Sequence, residues 1–245
     1  MEKIDVLEML RESENMYVIY SISTNMPYVH CDAETYDDEI LLFPEEEDAK
    51  KQVEKMLKDN IPVRLVNVEK EHRLNFFTGL FGMGVNAMII CVNENEVFRA
   101  QLDDLVVRPD EKDLPEDEPR IENPQLHLTA LYFVQELRKN PNERTEELEA
   151  LNEEMLAHFQ EGRYLVAAQE DKQIPVLKRN DGKVYQPIFT DLMEFAKFDK
   201  ERRFRALIMD ADTITKQLAE EIDGVAINPL GVNVLLDISR QPVEE

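Results

Sequence analysis

Ala87-Met88-Ile89-Ile90-Cys91-Val92 is the longest strongly apolar run in the chain. A near-continuous apolar strand of this kind belongs in the interior of a sheet. Gly84-Val85 opens the segment, Asn93-Glu94-Asn95 turns it, and Val97 to Leu102 completes a hairpin. The pattern recurs near the other end of the chain. There Gly224-Val225 opens a strand through Ile227, Asn228-Pro229-Leu230-Gly231 turns, and Val232 to Leu236 returns.

Working outward from the two hairpins, the halves follow one order: a helix, three strands, a helix, a strand, a helix and the hairpin. The first half reads as a helix from Glu2 to Ser13 and strands at Met16 to Ile22, Pro27 to Cys31 and Glu39 to Phe43. Pro44 then opens a helix with Glu45, Glu46, Glu47 and Asp48 in its first turn and Lys55 and Lys58 near its last, as the helix dipole favours. Ala49, Val53, Met56 and Leu57 form its expected buried stripe. Ile61 to Val68 reads as a strand, and a helix follows with Leu74, Phe77 and Leu80 inward.

The second half reads as a helix from Glu143 to Glu161 and strands at Tyr164 to Ala168, Ile174 to Leu177 and Lys183 to Phe189. Thr190-Asp191 caps a short helix, Phe204 to Met209 is a strand, and Ala211, Ile214, Leu218 and Ile222 mark the last helix. Matched landmarks include Tyr17-Val18-Ile19 with Tyr164-Leu165-Val166, Met26-Pro27-Tyr28 with Ile174-Pro175-Val176, Phe43 with Phe189, and Arg64-Leu65-Val66 with Arg205-Ala206-Leu207. The fold class expected is α/β (α+β): two similar units, each a mixed sheet with flanking helices, related by duplication.

Ile174-Pro175-Val176, Phe189-Thr190-Asp191 and Gly224-Val225-Ala226-Ile227-Asn228-Pro229 with Gly231 resemble the SseB N-terminal domain family, over about Glu143 to Arg240. The first half is similar but departs from the pattern, with Phe43-Pro44-Glu45 and Cys91-Val92-Asn93 at the corresponding places. The resemblance implies a fold. It brings no catalytic residues with it.

Between the halves, residues 109–124 carry four prolines, and 110–124 hold seven acids against Lys112 and Arg120, the composition of a linker. The expected division is therefore 1–108 for the first unit, 109–124 for the linker, 125–141 for a connecting buried helix and 142–245 for the second unit. In that helix Leu126, Ala130, Phe133, Val134 and Leu137 make one apolar stripe. Leu128, Leu131 and Tyr132 make a second, which marks them as interface residues needing another cover.

The formal net charge is −24, which opposes binding to a phosphate backbone or an anionic membrane surface. No stretch approaches the ~20 apolar residues of a membrane span. The two cysteines do not make a disulfide framework, and the cytoplasm is the expected compartment.

Candidate chemistry dissolves on inspection. His30 and Cys31 are neighbours in a strand and point to opposite faces, so they form no nucleophile and base pair. Glu69 and His72 have metal-pair spacing, but the motif occurs once. His127 and His158 lie on separate helices. Gly79, Gly82 and Gly84 follow a helix and precede a strand, the reverse of a phosphate loop. Thr190-Asp191 and Asn228-Pro229 read as a cap and a turn, and Met83, Met88, Met193 and Met209 as core filling. No cofactor, metal or catalytic residue is expected. The sequence points to a non-enzymatic module that binds another protein, with a homodimer possible. The alternative is a small-ligand sensor or an enzyme with a pocket between the units.

Overall fold

The computed structural model describes residues 3–93, 95–115, 119–139, 141, 143–170 and 173–238. They fall into two compact units: Met1–Leu114 with Leu131–Arg144, and Pro115–Ala130 with Thr145–Glu245. The mixed α/β class expected from the sequence is what the chain adopts.

Unit 1 begins with α1 (Lys3–Glu12) and three strands, β1 (Tyr17–Ser21), β2 (His30–Cys31) and β3 (Asp38–Phe43). Then come α2 (Glu46–Lys58), β4 (Val63–Asn67), α3 (Arg73–Met83) and the hairpin of β5 (Ala87–Val92) and β6 (Asn95–Gln101). Its sheet runs β4-β1-β3-β5-β6, with β2 paired to β3. Only β3 and β5 are parallel, as expected when a helical crossover separates them.

Side chains alternate between the two faces of this sheet. On one, Ile19, Phe43 and Ile89 pack with Ala49 and Met56 of α2. The other carries Val18, Ile40, Leu42, Met88 and Ile90, all buried. Two expected core residues are exposed instead, Leu57 and Leu74. Arg73 takes the inward position beside Leu74, along the line of Phe77 and Leu80. Its guanidinium donates to the carbonyls of Leu10 at 2.9 Å and Val68 at 3.5 Å, tying the end of α1 to the loop before α3. A buried cation rich in donors can satisfy carbonyls that a leucine would leave bare. Gly84 ends α3 in the left-handed region at φ 84°, so the glycines are helix and cap residues and not a phosphate loop.

Helix α4 (Pro124–Lys139) is divided between the groupings. Unit 2 continues with α5 (Glu146–Glu161), β7 (Arg163–Ala168), β8 (Leu177–Lys178), β9 (Val184–Ile188) and α6 (Leu192–Phe198). It closes with β10 (Arg205–Asp210), α7 (Ala211–Gln217), β11 (Gly224–Ile227) and β12 (Val234–Asp237). Helix α7 stops short of Ile222 because the chain must turn: the Asp223 amide donates to the Val184 carbonyl at 2.8 Å, bringing β11 beside β9. Within the span expected as a linker, one residue joins a core. Ile121 is buried with Leu165, Ala167, Phe189 and Phe195 in unit 2.

Strand pairing in unit 2 repeats unit 1. Strand β10 pairs antiparallel with β7, β8 with β9, and β12 with β11, while β9 and β11 are parallel. The β7 to β9 contact is reduced to one bridge between Leu165 and Phe189, where unit 1 has the β1 to β3 ladder with Tyr17 opposite Phe43. Register corrects two of the matched landmarks. The equivalent of Tyr17 is Leu165, not Tyr164. Because Glu39 pairs with Ala87 and Tyr185 with Gly224, the equivalent of Gly224 is Ala87, not Gly84. The matches of Phe43 with Phe189, Arg64 with Arg205 and the hairpins starting at Met88 and Val225 agree with register.

Candidate functional site

The turn and cap residues singled out in the second half converge in space. Asp191 is the N-cap of α6, its Oδ1 accepting the Glu194 amide at 3.0 Å. The Thr190 amide donates to Asn228 Oδ1 at 3.0 Å, and Asn228 Nδ2 donates to the Thr190 hydroxyl at 2.8 Å. Asn228 holds a left-handed φ of 46°, and its carbonyl accepts the amides of Gly231 and Asn233. From α4, His127 Nδ1 lies 3.2 Å from the Thr190 hydroxyl and 3.4 Å from Asp191 Oδ2. Asn123 Nδ2 donates to the carbonyls of Arg163 and Thr190.

Thr190, His127 and Asp191 are the residue types of a nucleophile, a base and an orienting acid. Their arrangement is a different one. The Thr190 hydroxyl donates to Asp191 Oδ2 at 2.8 Å while accepting from Asn228, so both its proton and a lone pair are engaged. All three side chains are buried. Burial pushes the Asp191 carboxyl up, but His127, the Glu194 amide and the Thr190 hydroxyl outweigh it and hold it below its ordinary value. The cluster ties α4, α6 and the β11 to β12 turn together within unit 2.

Next to it lies a device that reading of the sequence missed. Glu194 is only 2% exposed, its Oε1 is paired with Lys197, and its Oε2 has no hydrogen-bond partner among the described residues. A Cβ placed on Gly231 would come within 2.4 Å of that Oε2, so any larger residue there requires the Glu194 side chain to move. The equivalent acid in unit 1 is Asp48, 7% exposed, at the same spacing from Phe43 as Glu194 from Phe189. Its partner Lys51 stands where Lys197 stands, at 3.6 Å, and its Oδ2 accepts the Asn93 amide in the β5 to β6 turn at 2.6 Å. In each unit a buried acid from the first turn of the helix after the third strand thus lies against the hairpin turn, bonded to it in unit 1 and in contact with Gly231 in unit 2. The matching acid and lysine were visible in sequence, but among so many helical charges they looked like a solvated face.

Unit 1 gathers a second polar cluster. Arg99 Nε lies 2.8 Å from Glu39 Oε1, and its Nη2 donates to Asp32 Oδ2 at 2.7 Å. His30 faces Glu39 across the strand pair at 3.5 Å, whereas Cys31 faces Asp38, so the two neighbours do lie on opposite faces. The amides of Thr35 and Glu34, together with Arg99, hold the Asp32 carboxyl far below the usual carboxylate range. Burial and the Asp38 carboxylate push the Cys31 thiol up, away from the reactive thiolate. In unit 2 the corresponding sheet position carries Tyr185, whose hydroxyl donates to Asp237 at 2.6 Å while Lys183 pairs with the same carboxylate.

Of the expected interface residues, Leu131 is fully buried, and Leu128 and Tyr132 are half-buried. The Tyr132 hydroxyl donates to Asp38 Oδ1 at 2.5 Å; burial and that carboxylate raise it well above the usual tyrosine range. Glu69 and His72 do come together, with Glu71 as a third group, their ligand atoms within 4.8 Å of one another. All three are exposed.

Residues 137–240 match the family model described as the SseB protein N-terminal domain. The matched span contains Thr190, Asp191, Asn228 and Gly231, so the residues that carry the resemblance are those that build the buried cluster of unit 2. No curated protein matches the chain. Among solved structures, Tic22 from Plasmodium falciparum is 15% identical over 90% of each chain, with a TM-score of 0.24. Anabaena Tic22, titled as a protein of protein transport, is 10% identical over 92% of this chain and 93% of its own, also with a TM-score of 0.24. Likeness at that level says nothing about what this chain does.

Proposed function

We propose that the chain consists of two diverged copies of one α/β unit and acts without catalysis, in the cytoplasm, as a module that binds another protein. Duplication is supported by the shared strand order and directions, and by the paired Asp48 with Lys51 and Glu194 with Lys197 at one place in each unit. The cytoplasm is supported by the low cysteine content, since two cysteines do not make the disulfide framework of a secreted domain. A net charge of −24 favours a protein partner over a nucleic acid.

The observation that carries the binding role is the apolar surface of unit 2. Leu192 and Met193 in the first turn of α6 are exposed, as is Leu230 in the turn that Glu194 meets. Met193, expected in the core, lies on this surface instead. Leu192 and Met193 adjoin Glu194 in sequence and Leu230 adjoins Gly231, which Glu194 meets, and large apolar side chains exposed in this way mark a contact surface. The fold does not require them there, since the buried cluster beneath already fixes α6.

The test is comparative capture. Tagged wild type and the double variant Leu192→Asp, Leu230→Asp are used as baits in cytoplasm from the source cells, with quantitative mass spectrometry. The expected result is a discrete partner retained by the wild type and lost by the variant at unchanged melting temperature. Identical retention by both, or a melting shift of the wild type with a metabolite or metal, would sink the reading.

A further inference from the structure

The two units differ most at their edge strands. Helix α2 has thirteen residues and packs over β1, β3 and β4. Its counterpart α6 has seven and packs on β7. Helix α6 ends at Phe198 because Asp199, buried, turns its carboxylate onto the amides of Arg203 and Phe204. Phenylalanines take over part of the missing helix: Phe189, Phe198 and Phe204 stack in sequence at 5.1 and 5.7 Å between ring centres. That cover stops at Phe204, and β10 beyond it is bare.

Every residue of β10 except Met209 is exposed, including Leu207 at 40% and Ile208 at 41%. Among the described residues β10 pairs with β7 alone, through six uninterrupted partners. Natural edges are blunted by proline, inward charge or a bulge. From Ala206 to Met209 there is no proline and no charge, and the ladder to β7 has no register shift.

Charge around the strand narrows the choice of occupant. In a chain of net charge −24, Lys200, Arg202, Arg203 and Arg205 cluster at the entrance to β10 and are exposed, against Glu201, which is paired with Arg203. A second copy fits poorly. Two-fold antiparallel pairing keeps each side chain on its own face, so Arg205, which shares a face with Leu207 and Met209, never stands directly opposite Asp210 of the other copy.

We infer that β10 is a docking edge for an extended acidic and apolar segment of a partner protein, which adds to it as a further strand. Backbone groups of β10 supply the pairing, Leu207 and Ile208 receive alternate apolar side chains on the two faces, and the Lys200 to Arg205 cations receive the acids. This deepens the binding role proposed above and rests on it.

The experiment uses the full chain and two labelled peptides, one alternating valine with glutamate and one alternating valine with lysine, read by fluorescence anisotropy. The acidic peptide is expected to bind at least about tenfold more tightly at low salt, the gap closing as salt is added. Ile208→Lys should abolish binding of both. The double variant Arg203→Glu, Arg205→Glu should reverse the preference; all three positions are exposed, and melting temperature checks the fold. Equal binding of the two peptides, binding of neither, or a dimer in sedimentation that Ile208→Lys dissolves would each overturn the assignment. If the partner captured through Leu192 and Leu230 persists while no peptide binds, the binding role stands and only the place on β10 is wrong.

Discussion

Units 1 and 2 pair their strands in the same directions, although the β1 to β3 ladder of unit 1 shrinks to a single bridge in unit 2, and they solve the same two problems differently. The first problem is the hairpin turn. Unit 1 uses the short acid Asp48, which reaches the Asn93 amide directly. Unit 2 uses the longer Glu194, which presses against a glycine and leaves one oxygen without a partner. The second problem is the edge strand, which unit 1 covers with a long helix and unit 2 leaves open. The two units agree in what fixes topology and differ in what covers the surface. The contrast teaches that the pairing pattern and the acid and lysine pair belong to the fold, while helix length is free to vary and with it the cover over the edge strand.

The largest expected effect tests helix α4. Leu131 is fully buried, so Leu131→Asp should cost about 3–5 kcal/mol of unfolding free energy, because the carboxylate loses water and gains no partner. Leu128→Asp, at a half-buried position, should cost clearly less in the same denaturant titration. If Leu131→Asp matches the wild type in stability and merely turns a dimer into a monomer, the stripe is an oligomer contact.

A smaller effect sharpens the hairpin comparison. Gly231→Ala drives a methyl into Glu194 and should cost about 1–3 kcal/mol. In a Glu194→Ala background most of that cost should vanish, a coupling that a double-mutant cycle measures directly. Asp48→Ala strands the Asn93 amide and should cost about 1–3 kcal/mol, whereas Glu194→Gln should be close to neutral. Equal losses from Asp48→Ala and Glu194→Gln would mean that the two acids do the same work after all.

The smallest effect is a pH dependence carried by Asp32 in unit 1. The Asp32 carboxyl lies below its unfolded value in the folded chain, so its contribution is complete at neutral pH, above the unfolded value of ~4. It is lost as pH falls further. Asp32→Asn should therefore lower the melting temperature at neutral pH, and the two melting curves should converge as the solution is acidified. A gap that stays constant with pH would remove charge from the account.

What the sequence determined by itself was the kind and order of elements. These rest on local physics: the apolar run Ala87 to Val92, the proline and acids opening α2, Asp191 as a cap, Gly84 as a helix end and the glycine turn at Gly182. Each can be read from a few neighbouring residues. Register was less legible, because a tyrosine one position off looks like a match until Leu165 is seen opposite Phe189. The buried roles of Arg73, Asp48 and Glu194 were hidden, since a charged residue beside a helix start looks the same whether it meets water or a turn brought back from far along the chain. Exposure of β10 was hidden for the same reason. Phe204 to Met209 reads as an ordinary strand, and only the folded chain shows that α6 ends too soon to cover it. Burial is a relation between distant segments, and it is the tertiary structure that supplies the second member of each pair.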